Sequence, residues 1–185
     1  NTSFEVIIID NLIESTEECL AGQTDLNCRW GGGIAIFKSN PTLTDVIISG
    51  NSATYGGGVF IEDSNPTLIN VTISDNNAGL VGGGIKIFQS NNPTLKNVII
   101  SGNSALLGGG MYSNSNSTLS DVTIIRNSAT WGGGMYLENS NSTLTHVTIS
   151  RNSAISGGGM FLFHAYPTLT NSIIWKNSPE SIWYQ

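Results

Sequence analysis

Charged residues are scarce in this sequence, and positive charge is scarcer than negative charge. Only 11% of the 185 residues are charged, with 7 Lys and Arg against 13 Asp and Glu, so the formal net charge is −6. A protein that follows the phosphates of a nucleic acid needs clustered basic residues on an electropositive surface. We therefore predict no nucleic-acid partner.

Long hydrophobic runs are also missing, although 39% of the residues are hydrophobic. The longest runs have four or five residues, such as Val6–Ile9. A membrane-spanning helix needs about 20 consecutive apolar residues. The sequence therefore predicts no membrane span.

Cysteine is limited to two residues, Cys19 and Cys28, which lie nine positions apart in a polar segment. In an acidic chain with little lysine, this pair favours a local disulfide in an oxidising, extracellular compartment. Two reduced thiols are the alternative, because closeness in sequence does not ensure bridging geometry. We predict no metal site and no cofactor, because two sulfurs without a nearby histidine or further cysteine cannot complete a tetrahedron.

What the sequence does contain is an internal repeat with three landmarks in a fixed order. Glycine triplets recur every 24 to 26 residues, each followed by a Thr-Leu pair and then by an asparagine. The triplets begin at Gly31, Gly56, Gly82, Gly108, Gly132 and Gly157. A period in this range is typical of a solenoid.

Each repeat contains segments in which apolar residues alternate with polar ones. Met135 and Leu137 share one face of such a segment, and Val122 and Ile124 share a face of another. This period of two indicates β-strands, and no segment has helical spacing. A unit of about 25 residues cannot bury a face alone, so successive copies must stack. The sequence predicts an all-β fold, a right-handed parallel β-helix of about six coils.

Stacking would bring equivalent residues of successive coils to about 4.8 Å from one another, the spacing of strands in a sheet. The repeated asparagine is then expected to form a ladder in which each side-chain amide bonds to those above and below it. Its members are Asn51, Asn76, Asn103, Asn127, Asn152 and Asn177.

The repeat resembles a known class of sequences. The segment Asn-Ser-Ala-Thr-Trp-Gly-Gly-Gly-Met at 127–135 is similar to the repeats of polymorphic outer-membrane proteins. With its Pro-Thr-Leu and Val-Thr-Ile-Ser segments, the unit is still more similar to right-handed β-helix repeats of large secreted or surface proteins of bacteria. The resemblance covers residues 31–178. It implies an extracellular or cell-surface location and a role in adhesion or scaffolding.

The two ends depart from the repeat. Residues 1–30 are expected to form a partial coil and a cap-like insertion with the cysteine pair, and residues 179–185 a terminal segment of the same domain. We expect Ile182, Trp183 and Tyr184 to fold over the last coil. An uncovered end would expose strand edges and lead to end-to-end association.

Aromatic residues recur on the side of the first strand that faces away from the predicted core. They form the candidate binding surface: Phe60, Phe88, Tyr112, Tyr136, Phe161 and Phe163. A row of exposed rings would suit a glycan or a surface protein as partner. The alternative is that neighbouring rings stabilise the sheet by cross-strand contact.

Catalytic groups do not cluster in the predicted coils. Glu62 and Glu138 would lie three coils, or about 14 Å, apart, which is too far for either geometry of a glycosidase. Arg126, Arg151 and Lys176 occupy equivalent positions in consecutive coils but face no acidic cluster. We therefore predict a non-catalytic module that acts as an adhesive stalk or scaffold.

Two other functions remain as alternatives to that role. The first is a polysaccharide lyase or hydrolase of the β-helix type. The second is a self-assembling unit or an ice-binding surface, because one threonine recurs in every coil. That column comprises Thr42, Thr67, Thr94, Thr118, Thr143 and Thr168.

Overall fold

The chain winds into a stack of coils, each of which contributes one strand to several parallel sheets. The computed structural model describes residues 6–9 and 30–185. Within these residues every regular element is a β-strand, and all strand pairings run parallel. Neighbouring strands in a sheet come from consecutive coils. The predicted fold, an all-β solenoid of about six coils, is confirmed.

The strands, numbered in chain order, belong to four sheets, of which the fourth has strands from four coils only. Sheet 1 comprises β2 (Ile34–Phe37), β6 (Val59–Glu62), β10 (Ile85–Phe88), β14 (Met111–Ser113), β18 (Met135–Glu138), β21 (Met160–Phe163) and β24 (Ile182–Tyr184). Sheet 2 comprises β3 (Thr42–Thr44), β7 (Thr67–Ile69), β11 (Thr94–Lys96), β15 (Thr118–Ser120), β19 (Thr143–Thr145) and β22 (Thr168–Thr170). Sheet 3 comprises β1 (Val6–Ile9), β4 (Val46–Ser49), β8 (Thr72–Ser74), β12 (Ile99–Ser101), β16 (Thr123–Ile125), β20 (Thr148–Ser150) and β23 (Ile173–Trp175). Sheet 4 comprises β5 (Ser52–Tyr55), β9 (Asn77–Val81), β13 (Ser104–Leu107) and β17 (Ser128–Trp131).

The hydrophobic core fills the interior of the stack. Alternate residues of each strand point inward, and the register places equivalent side chains over one another, as with Met111, Met135 and Met160. All three are fully buried. Ser113 is a buried polar residue in a neighbouring inward column, where its hydroxyl donates a hydrogen bond to the Ser115 carbonyl at 2.8 Å. The inward columns that the alternation predicts therefore form the core.

The glycine triplets make the sharp bend that leads into sheet 1. The first glycine has a positive φ, as in Gly82 at 70°, a conformation that residues with a side chain adopt at a cost. At the second position, a Cβ on Gly83 would lie 2.3 Å from the carbonyl oxygen of Gly109. Coils can therefore approach at this bend only because no side chain is present.

The N-terminal strand supports the partial coil expected there. β1 pairs with β4 in parallel, and Val6 lies opposite Val46. Cys19 and Cys28 lie outside the described residues, so the disulfide stays a prediction.

The C-terminal segment, expected to fold over the last coil, lies against that coil as a strand. β24 pairs with β21 and extends sheet 1 as its seventh strand, with Trp183 opposite Phe161. The backbone N–H of Met160 donates to the carbonyl of Ser181, and that of Gln185 donates to Leu162. Strand pairing thus satisfies polar groups that a segment crossing the open end would leave without partners.

The described residues contain no helix long and apolar enough to cross a bilayer.

Candidate functional site

The structure brings the six predicted aromatic residues together on the outer side of sheet 1. They lie on strands β6, β10, β14, β18 and β21, which are adjacent in the sheet. Tyr112, Tyr136 and Phe161 occupy directly opposite positions on three consecutive strands. Phe88 and Phe163 lie in the neighbouring outward column, opposite Glu62 and Glu138 respectively. The site is therefore contiguous, as its residue spacing predicts.

The expectation that these rings are exposed is wrong for three of them. Phe60, Tyr112 and Phe161 keep only 2%, 7% and 3% of their surface accessible, yet none belongs to the hydrophobic core cluster. Phe88 and Tyr136 are half-buried, as is Phe163. Outward side chains of this sheet are thus largely covered, although they face away from the interior.

The rings cover one another, which explains their burial. The Tyr112 and Tyr136 rings stack with centroids 5.5 Å apart and planes 19° apart. Tyr136 and Phe161 stack at 4.9 Å with planes 6° apart. Stacking on a sugar requires an accessible ring face, and here the faces are occupied by neighbouring rings. This geometry favours the alternative in which the rings stabilise the sheet through cross-strand contacts.

A second ring cluster closes the N-terminal end of the column, and sequence analysis did not identify it. Trp30 stacks on Phe60 at 5.6 Å, and Phe37 contacts the same ring at 5.3 Å. Trp30 precedes a glycine triplet, and so does Tyr55. Trp30 contacts rings on the outer side of sheet 1, and the Tyr55 ring contacts Lys86 there, so an aromatic residue before a glycine triplet was the available signal.

Lys86 separates the two ring groups and was also missed as a member of the site. Its Nζ lies 4.2 Å from the centroid of the Tyr55 ring and 5.0 Å from the centroids of Phe60 and Phe88. Burial lowers the pKa of Lys86 to about 8, and the Glu62 carboxylate opposes this shift. Burial also raises the pKa of Glu62, with a further contribution from the neighbouring acid Asp63. Lys86 is therefore an amine whose protonation changes near pH 8.

Tyr112 and Glu138 form the other polar contact of this face. The Tyr112 hydroxyl donates a hydrogen bond to Glu138 Oε2. Burial, followed by this contact with Glu138, raises the pKa of Tyr112, and burial and the same carboxylate raise that of Tyr136. Both phenols therefore stay protonated at neutral pH, and the Tyr112 hydroxyl acts as a hydrogen-bond donor.

The repeated asparagines form a continuous ladder at the bend between sheets 3 and 4. In each consecutive pair, the Nδ2 of one side chain donates to the Oδ1 of the next at 3.0 Å. The side chains of Asn51, Asn76, Asn103, Asn127 and Asn152 are buried. Because the amides are enclosed and fully engaged with one another, the ladder is structural.

An exposed set of polar contacts follows the bend between sheets 2 and 3. Asn70 Nδ2 donates to Asp45 Oδ1 at 3.0 Å, and Asn97 Nδ2 donates to Asn70 Oδ1 at 2.8 Å. Farther along the same bend, His146 Nδ1 lies 3.4 Å from Asp121 Oδ1. His146 thus has a partner in the adjacent coil.

The threonine column of the ice-binding alternative lies on the outer side of sheet 2. Its six members are in register from β3 to β22. The parallel column beside it contains Ile69 and Lys96 between threonines. The threonine array is therefore one residue wide over the middle coils.

Comparison with known proteins identifies the fold but no individual relative. A family model described as a right handed beta helix region matches residues 81–185, which is more than half of the chain. Neither the curated proteins nor the solved structures contain a match. Within residues 6–9 and 30–185, no group of three or more His, Cys, Asp and Glu side chains is placed to hold a metal ion.

Proposed function

Because this chain belongs to the right-handed β-helix family, we propose that it is a non-catalytic module that acts as a stalk or scaffold in a secreted or cell-surface protein. The bacterial, exported setting is part of this proposal and comes from the resemblance of its repeats. A rod of about six coils, each rising about 4.8 Å, is about 29 Å long. Such a module can hold other parts of a protein at a fixed distance.

One observation carries the proposal: the repeated asparagines and the aromatic rings on the outer side of sheet 1 contact their equivalents in adjacent coils. The buried asparagine amides bond along the axis, and the rings of Tyr112, Tyr136 and Phe161 stack in the same direction. In a solenoid, stability comes largely from such contacts between neighbouring repeats. Residues used in this way favour a mechanical role over a chemical one.

Adhesion requires an accessible part of the wall as well as a rigid rod. We propose that the outer face of sheet 1 contacts a glycan or surface protein through the parts of Phe88, Tyr136 and Phe163 that remain accessible, although the Tyr136 ring is stacked between Tyr112 and Phe161. Tyr112 and Phe161 then hold the Tyr136 ring in place by stacking on it.

The Tyr136→Ala variant tests this contact. We expect it to weaken binding on a glycan array or to a surface-protein extract by about fivefold, because an interfacial tyrosine often contributes about 1 kcal/mol or more. Tyr166→Ala is the matched control, since Tyr166 is 77% exposed and lies outside sheet 1. Equal binding by wild type and Tyr136→Ala would remove this face from the proposal.

The second candidate is a polysaccharide-active enzyme, and Lys86 is the observation that favours it. An amine with a pKa near 8, opposite Tyr112 in the sheet, is suited to take a proton from a bound substrate. The test is incubation with acidic and neutral polysaccharides, with and without calcium. New reducing ends or unsaturated products that disappear in Lys86→Met would establish this second candidate and overturn the non-catalytic role.

A further inference from the structure

Three of the seven basic residues of the chain lie at one bend of consecutive coils. Arg126, Arg151 and Lys176 each follow a strand of sheet 3 and precede the asparagine of the ladder. The backbone N–H of Arg126 donates to the carbonyl of Ser150, and that of Arg151 donates to Trp175. These bonds hold the three residues in register, about 4.8 Å apart along the rod. We call them the basic stripe.

The basic stripe is exposed and has no counter-charge within the described part of the chain. All three side chains are exposed. No carboxylate in the described part of the chain forms an ion pair with them. Lys176 Nζ lies 4.3 Å from the centroid of the Trp175 ring. Like charges on adjacent strands repel one another. This repulsion would be relieved by an anion bound along the stripe.

Backbone conformation does not account for the choice of arginine and lysine at this bend. The three residues have φ values of 57°, 56° and 52°. In the preceding coils the same bend contains Gly50, Asp75 and Gly102, and glycine and aspartate tolerate positive φ best. Three consecutive long cationic side chains therefore run against the local backbone preference, and some other requirement selects them.

We propose that the basic stripe binds a linear acidic polysaccharide that lies parallel to the axis of the rod. A guanidinium can bind a carboxylate through two parallel hydrogen bonds. The length of one linked pyranose ring is close to the strand spacing, so acidic sugars meet cations coil by coil. This inference goes beyond the scaffold role and uses a surface separate from the outer face of sheet 1.

The surroundings of the stripe also suit a sugar polymer. Ser128 and Ser153, both exposed, follow the arginines by two residues and add hydroxyls to the same bend. Trp175 is 56% exposed at the last coil, where its ring can stack on a pyranose. In duplex DNA, by contrast, the phosphates of one strand are spaced about 3.4 Å apart along the axis and wind around it, so they leave the register of a straight column.

The test compares two double variants that remove the same charge. Arg126→Gln/Arg151→Gln should weaken binding to polygalacturonate about tenfold at low salt, since each exposed ion pair contributes up to about fivefold. Lys38→Gln/Lys96→Gln removes two exposed cations elsewhere and should change binding less than about twofold. Arg126→Lys/Arg151→Lys should retain part of the affinity, because charge is kept while paired hydrogen bonding is lost. Circular dichroism and melting temperature establish that each variant is folded.

Further arms identify the ligand class. Fully methyl-esterified pectin, which has the same linkage without charge, should not bind, and dextran sulfate shows whether sulfate replaces carboxylate. If Arg126→Gln/Arg151→Gln does not fold, Arg126→Gly/Arg151→Gly gives the same test, because glycine already occupies this bend in Gly50 and Gly102. Equal loss in both charge-matched variants, no binding of polygalacturonate or dextran sulfate by wild type, or tighter binding of single-stranded DNA would each overturn the proposal.

Discussion

Replacing one central asparagine of the ladder tests how the coils are held together. Asn127 Nδ2 donates to the Ile100 carbonyl and to Asn152 Oδ1, both at 3.0 Å. Its Oδ1 accepts the backbone N–H of Asn103 at 2.9 Å and the Nδ2 of the same residue at 3.0 Å. Asn127→Ala therefore removes four hydrogen bonds and leaves two buried donors of Asn103 without their acceptor.

We expect this change to lower the free energy of unfolding by about 3 kcal/mol, because each buried donor left unpaired costs about 1–3 kcal/mol. For a chain of this length the melting temperature should fall by about 6–12 °C. Urea unfolding followed by circular dichroism measures the same change in free energy.

Asn177→Ala is the matched control at the end of the same ladder. Asn177 also accepts the N–H and Nδ2 of the preceding rung, Asn152, but it is only half-buried. Water can replace the lost acceptor there, so the expected loss is about 1 kcal/mol. If Asn127→Ala were no more destabilising than Asn177→Ala, the claim that the enclosed ladder holds the coils together would be refuted.

Two further predictions concern the glycine bend and the buried lysine. Gly83→Ala should destabilise the protein by about 3 kcal/mol, because its Cβ would meet the carbonyl oxygens of Gly109 and Ser104 at 2.3 and 2.4 Å. Gly79→Ala is the control: its Cβ would have no neighbour closer than 3.9 Å, so a thermal melt should show almost no change. Lys86 has a pKa of about 8 in the folded chain against 10.5 in the unfolded chain. Between pH 8 and pH 10.5 the unfolded state therefore binds more protons than the folded state. The stability of wild type relative to Lys86→Met should accordingly increase as the pH rises from 8 to 10. A stability difference that stays constant over this range, measured by melts at each pH, would contradict the assigned shift.

The strand register could be predicted from the sequence repeat alone. Three landmarks with one spacing permit a single alignment of coils, so the opposite placement of Met111 and Met135 follows from residue order alone. The same holds for the asparagine ladder, because an identical side-chain amide in every coil can pair with its equivalents in the coils before and after it.

The burial of the outward rings could not be predicted in the same way. Alternation gives the direction of a side chain, whereas exposure depends on what covers it. Phe60 is covered by Trp30, which lies before the first glycine triplet and outside the strand pattern. The low pKa of Lys86 likewise depends on its burial beside rings from three different strands.

That the C-terminal segment is a strand of sheet 1 could not be predicted, because the sequence landmark of a coil is absent there while the backbone hydrogen bonds of a coil are kept. No glycine triplet precedes Ile182, yet the carbonyl of Ser181 accepts the hydrogen bond of Met160 that a coil in this position would provide. The sheet continues through main-chain hydrogen bonds, which do not depend on the glycine triplet that marks the other coils.

The asparagine ladder also gives the rod a polarity. Every rung points its N–H toward the following coil and its oxygen toward the preceding one. Aligned amide dipoles polarise one another, so their fields add along the axis of the rod. An inverted coil would present donor to donor at this position, and therefore such rods can join through this ladder only head to tail.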